Sequence, residues 1–247
     1  MTATPDTTPR VVVDDVSKIF NIRHTHSLKE LIVAKVKGRR EATVDEFHAL
    51  DHVNFTVRDG EAVALLGLNG SGKSTLLKLI SGVMRTDGGQ ILVRGKIAGL
   101  IEVGAGFHPD LTGRENVYLN GAILGMTEEQ IEAHFDEIVA FSEIEEFIDT
   151  EVKFYSSGMF LRLAFAVAVH TDPDVFLVDE ILAVGDEPFQ KKCLARIREL
   201  KDSGKALVIV SHDLDMVAKL CDRGILLRRG RIVHDGDVNE AVALLRG

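Results

Sequence analysis

Nine residues constrain this chain more than any others: Gly67-Leu68-Asn69-Gly70-Ser71-Gly72-Lys73-Ser74-Thr75. They fit G-x-x-x-x-G-K-[ST], a loop that wraps phosphate groups. The flanks fit as well. Ala62-Val63-Ala64-Leu65-Leu66 reads as a buried strand entering the loop, and Leu76-Leu77-Lys78-Leu79-Ile80 reads as a helix leaving it. Gly67, Gly70 and Gly72 let the backbone turn and bring N–H groups to phosphate oxygens. The helix N-terminus adds partial positive charge. Lys73 is placed to reach the β- and γ-phosphates, and the Ser74 hydroxyl to ligate Mg²⁺.

Further along the chain, Val175-Phe176-Leu177-Val178-Asp179-Glu180 is an apolar run ending in two carboxylates. A buried parallel strand delivers the residues at its carboxyl end to the ligand crevice. Asp179 is placed to hold a Mg²⁺ shell, and Glu180 to orient or deprotonate an attacking water. Upstream, Tyr155-Ser156-Ser157-Gly158-Met159 opens a helix, where serine hydroxyls and free N–H groups suit an anion. By itself that pattern is also an ordinary N-cap. His212 follows the apolar run Ala206 to Val210.

Around these motifs the chain divides. Val11 to Val13, continuing toward Phe20, and the alternating Val53 to Val57 read as strands of an antiparallel lobe within a mixed sheet, joined by Ile91 to Val93. From Thr112 to Val169 the pattern is helical; Thr127 with Gln130 three residues on fits a capping box. From Val175 strands and helices alternate again, ending in a hairpin over Ile225–Leu227 and Arg231–Val233 and a helix over 238–245. The polar stretch from Met1 to Arg10 reads as a disordered tail without the apolar run of a signal peptide. No apolar run is long enough to cross a bilayer, so the chain reads as soluble by itself. The net charge of −9 argues against a general nucleic-acid binder. Cys193 and Cys221 have no metal or redox spacing and read as buried free thiols.

With these motifs in this order, residues 10–235 resemble an ATPase subunit of the ABC-transporter family. The implied fold is an α/β P-loop NTPase: a RecA-like core, an antiparallel β lobe and a helical subdomain at about 105–171, all one ABC ATPase domain over 1–247. Residues 67–75 stand as the Walker A loop, 175–180 as Walker B, 155–159 as the signature loop, Ala183-Val184-Gly185-Asp186 as the D-loop and His212 as the switch histidine. The resemblance implies ATP and Mg²⁺ as cofactors. It implies a homodimer sandwiching two ATP molecules head to tail, with Ser156 and Gly158 of one copy covering the γ-phosphate held by the other. Glu180 and His212 are the catalytic pair; Ser74, Asp179 and Glu102 surround the metal. Glu102 stands where the family offers glutamine. Tyr155, Ser157 and Met159 also depart from the family's Leu-Ser-Gly-Gly-Gln. The adenine-stacking ring is Phe47 or Phe20, with Phe47 preferred.

An insertion separates the first two strands. Between Ser27 and Arg40 it carries Lys29, Lys35, Lys37, Arg39 and Arg40 against Glu30 alone, with Leu28, Leu31, Ile32 and Val36 on one helical face. A basic amphipathic helix over about 26–40 suits an anionic membrane surface, and equally a domain surface. This insertion and the stretch from Glu102 to Asn116 are similar to the ATPase subunits of bacterial polysaccharide exporters. The resemblance implies export of a lipid-linked polysaccharide of O-antigen or galactan type across the inner membrane. It also implies two copies of a separate transmembrane permease contacting about 102–126, and a peripheral position on the cytoplasmic face. Because the chain stops at Gly247, it resembles the short form without a carbohydrate-binding domain, which galactan-type substrates fit. An importer ATPase or a non-transport ABC ATPase is the alternative.

Overall fold

A computed structural model describes residues 8–22, 45–100, 104, 106–179 and 185–247. The terminal stretch 1–7, the helix expected at 26–40, Glu102, Glu180, Ala183 and Val184 lie outside the described residues.

Two sheets form the frame. The larger is β5(Ile97–Leu100), β6(Val175–Asp179), β7(Ala206–Val210), β3(Ala62–Leu66), β8(Arg223–Arg228) and β9(Arg231–Asp237), in that spatial order. All neighbours are parallel except β8 with β9. The smaller is antiparallel, in the order β2(Asp45–Arg58), β1(Pro9–Ile22), β4(Gly88–Val93). Thus the antiparallel lobe is a separate sheet rather than part of a mixed one. The last two residues of the expected tail are instead ordered in β1, which starts at Pro9, and the Arg10 carbonyl accepts from Arg94 N–H at 2.9 Å.

The central strands are apolar throughout because both faces are covered. Alternate side chains go to opposite sides, as the pleat requires. Ala62, Ala64, Leu66, Phe176, Val178, Leu207 and Ile209 face one core, and Val63, Leu65, Val175, Leu177, Val208 and Val210 face the other. The first core is closed by α4(Ser157–Val169), α5(Glu187–Asp202), α6(Leu214–Leu220) and α7(Val238–Arg246). The second is closed by the β1–β2 hairpin and α1(Lys73–Ile80), whose Leu76, Leu77, Leu79 and Ile80 are buried. Each such side chain contributes about 1.5–3 kcal/mol by leaving water.

A third core joins α2(Gly113–Ile123), α3(Glu128–Ser142) and α4 through Val117, Ile131, Phe135, Ile138, Leu163 and Val167. Helix α4 is apolar on two faces because it belongs to two cores: Leu163, Ala166 and Val167 face the helices, whereas Phe165, Ala168 and Val169 face the sheet. Capping boxes start α2 at Thr112 with Glu115 and α3 at Thr127 with Gln130. No helix among the described residues is long and apolar enough to cross a membrane.

Candidate functional site

Strand β3 is fully buried and ends at Leu66, after which Gly67 takes φ 146°. Only glycine fits there: a Cβ would run into the Leu227 carbonyl and the Ser71 hydroxyl. Gly70 (φ 77°) and Gly72 (φ 110°) complete the turn, and α1 begins at Lys73. The other six helices described here each start with a side-chain cap, from Thr112, Thr127, Ser156, Asp186, Asp213 or Asp237. Helix α1 has none, and no acid in its first turn. Its leading N–H groups open into a cavity of about 250 Å³ lined by Asn69 to Thr75. Uncapped donors and the helix dipole make that cavity an anion site. Lys73 is only 7% exposed and donates to the Gly67 carbonyl at 2.8 Å and the Leu68 carbonyl at 3.3 Å. Those carbonyls offset the cost of burying the ammonium.

The sheet brings the other groups to the same edge. Asp179 ends β6 in register with Val210 of β7. On the other side of β7, Ala64 of β3 pairs with Ile209. Asp179 and the loop therefore stand two strands apart, about 10 Å, with Ser211 and His212 leaving β7 between them. His212 shares a cavity of about 580 Å³ with Gly67, Leu68, Asn69 and Ser211, closed by Leu214 and Leu245. No group of three metal-binding side chains occurs among the described residues. The Ser74 hydroxyl and the Asp179 carboxylate instead offer a few hard oxygens at a phosphate cradle. Mg²⁺ fits such a site because it keeps several waters and takes phosphate oxygens.

Phe20 and Phe47 stand directly opposite one another in the β1–β2 ladder, so they share a face. They are 37% and 46% exposed. Two residues beyond Phe47, the Ala49 carbonyl packs against Gly72, at 2.6 Å from where a Cβ would sit. The two aromatic candidates thus stand paired on the strands that flank the loop.

The signature-loop residues stand elsewhere. Ser156 caps α4 by accepting from Met159 N–H at 3.2 Å, and both Ser156 and its neighbour Ser157 are exposed. Ser156 and Gly158 line neither cavity of the phosphate loop. Tyr155 takes the place of leucine because its ring packs on the helical core while its hydroxyl donates to the Phe147 carbonyl at 2.8 Å. Burial pushes that phenol up to about 12.

Three features escaped the sequence reading. Arg162 of α4 donates to Glu143 at 2.8 Å and to Asp186, the α5 cap, at 2.7 Å, tying the signature helix to α5. Asn116 is fully buried and holds the 107–112 loop. The Thr112–Glu115 box was visible as a T-x-x-E spacing. Finally, an apolar groove of about 430 Å³ runs between the β5 edge, α2 and α4, with Ile97, Leu100, Asn120 and Leu124 in its wall. Val83 and Ile123, 67% and 57% exposed, stand at its rim.

The profile of the ABC transporter family matches residues 50–183. The O-antigen export system ATP-binding protein RfbB of Myxococcus xanthus is 44% identical over 98% of this chain, which spans only 56% of that protein. Its namesake from Klebsiella pneumoniae is 38% identical, with 96% of this chain and 98% of that one aligned. Among solved structures, the dimeric bacterial ABC transporter cassette MJ0796 superposes with a TM-score of 0.73 at 24% identity, covering 92% of this chain and 98% of that one.

Proposed function

The chain belongs to the ABC transporter family, and on that premise we propose that it is the ATP-hydrolysing subunit of a polysaccharide exporter. The observation that carries the ATPase reading is the uncapped start of α1, with its glycine cradle and Lys73 at the sheet edge that also bears Asp179 and His212. ATP places its phosphates on the N–H groups of residues 69–75 and its adenine on the Phe20–Phe47 face. Lys73 exchanges its loop carbonyls for phosphate oxygens. Ser74, Asp179 and Glu102 would hold Mg²⁺, which would supply positive charge to offset that of the phosphates. Glu180 takes a proton from the attacking water, and His212 holds the γ-phosphate side in place.

The site needs a second copy. Ser156 and Gly158 present hydroxyl and backbone N–H groups at a helix start, away from their own phosphate loop, as a head-to-tail homodimer requires. The relatives named above are export-system ATP-binding proteins, and that name supports export of a lipid-linked O-antigen-type polymer. Two copies of a membrane-spanning permease would seat in the Val83–Ile123 groove and keep the protein at the cytoplasmic face of the inner membrane. The basic segment at 26–40 would lie on the anionic lipid beside them.

Glu180→Gln is expected to bind ATP normally and to release no phosphate. Depletion of the protein in its native cell is expected to accumulate one lipid-linked glycan on the cytosolic side. Its mass separates a galactan from other polymers. Intact surface glycans without accumulation would refute export and leave the ATPase reading standing.

A further inference from the structure

We propose that the turn joining β8 to β9 braces the phosphate loop from its outer side, and that Gly230, Asp51 and Arg231 are positioning residues for that loop. This rests on the ATPase reading above. Arg229 (φ 50°) and Gly230 (φ 77°) form a two-residue hairpin turn between the paired Arg228 and Arg231. Both positive φ values are those of the primed turns that match strand twist.

The turn is bonded to the loop itself. Gly230 N–H donates to the Ser71 carbonyl at 3.0 Å. Ser71 lies between the two cradle glycines. A peptide unit is planar and trans, so its C=O and the following N–H point in opposite directions. Fixing the Ser71 carbonyl on the hairpin therefore aims the Gly72 N–H away from it, toward the phosphate side. Next to this bond, the Leu227 carbonyl occupies the space a side chain on Gly67 would need.

Strand β2 locks the turn in place. Asp51 N–H donates to the Gly230 carbonyl at 2.9 Å. The Asp51 carboxylate accepts from Arg231 Nε at 2.7 Å and stands 2.6 Å from its Nη2. The Arg231 hydrogen bond holds the Asp51 carboxyl below its ordinary value. A Cβ on Gly230 would lie 2.8 Å from the Ala49 carbonyl oxygen and 3.1 Å from Leu50 Cα. The same Ala49 carbonyl packs against Gly72. Any side chain at 230 must therefore displace either the turn or the strand that flanks the loop.

The test is titration of this 247-residue chain with a fluorescent ADP analogue, alongside thermal unfolding and steady-state ATPase kinetics. Gly230→Ala is expected to weaken ADP binding about tenfold, from a strained φ and a lost contact. The effect falls on KM rather than kcat, because the loop holds the β-phosphate equally in ground and transition states. Asp51→Asn and Arg231→Gln each weaken binding in the same direction, and the double variant is no weaker than either single one. Val233→Ala, on the exposed face of β9, serves as the control and is expected to bind ADP as wild type does. A folded Gly230→Ala protein with wild-type affinity overturns the proposal. If that variant does not fold, wild-type affinity in both Asp51→Asn and Arg231→Gln overturns it. Wild-type protein that binds no ADP would refute the ATPase reading instead.

Discussion

Two exposed phenylalanines and two buried cysteines show how burial decides what a residue does. Phe20 and Phe47 keep more than a third of their surface in water although each sits in a ladder position that could have been polar. A base stacked on an aromatic ring is worth about 1–3 kcal/mol. Phe20→Ala and Phe47→Ala are each expected to raise KM for ATP, and the larger effect, about tenfold, identifies the ring that stacks. Equal, small effects would mean that the adenine lies elsewhere. Cys193 and Cys221 are the opposite case: burial pushes both thiols up to about 12. The folded state therefore keeps both protons where the unfolded chain begins to lose them, near 8.5. With more protons bound in the native state, stability falls as pH rises above that value. Native protein at pH 8 is expected to resist iodoacetamide, and protein in urea to take up two labels, read by mass spectrometry.

At the scale of elements, one side chain organises the loop between the groove and the signature helix. Asn116 Nδ2 donates to the carbonyls of His108 (3.0 Å), Leu111 (3.1 Å) and Thr112 (2.9 Å), and its Oδ1 accepts from His108 N–H at 2.7 Å. Asn116→Asp replaces those donors with a carboxylate facing three carbonyl oxygens. The expected cost is about 3 kcal/mol, a thermal midpoint lower by roughly 10 °C in calorimetry. An unchanged midpoint would mean that water satisfies the loop.

This loop was legible only in part, because its bonds run from a side chain to a backbone that no periodicity reveals. The same limit applies to the first two strands. The alternation at Val53–Val57 was readable, but the ladder continues to Asp45, past two register shifts. Asp15 and His52 adopt positive φ there, and each irregularity moves the alternation by one residue, erasing the period-two signal. Strand β5 was hidden for a different reason. It is four residues long, lies at the sheet edge, and Gly99 has no side chain because Leu177 packs against its Cα.

Across the whole molecule, the sheet order explains why the site could be read so far ahead of the fold. Walker A, Asp179 and His212 lie far apart in the chain, yet each follows an apolar strand. Parallel strands place all their carboxyl ends on one edge, so the motif order alone puts these groups together. What remains hidden in any one chain is the partner of Ser156 and Gly158, which α4 holds on a different part of the molecule. In the proposed function a symmetric head-to-tail dimer would supply it, and mixing two dead variants tests that arrangement. Lys73→Ala disables the phosphate loop, and Gly158→Asp adds a carboxylate where the proposed dimer would bring a γ-phosphate. Each alone is expected to hydrolyse no ATP. If each site takes its loop from one copy and its signature from the other, a mixed dimer puts both defects in one site and leaves the other site intact. An equimolar mixture is therefore expected to recover activity, about a quarter of wild type if the two sites act independently. If the signature loop served its own copy, every site in the mixture would carry a defect and the rate would stay at zero.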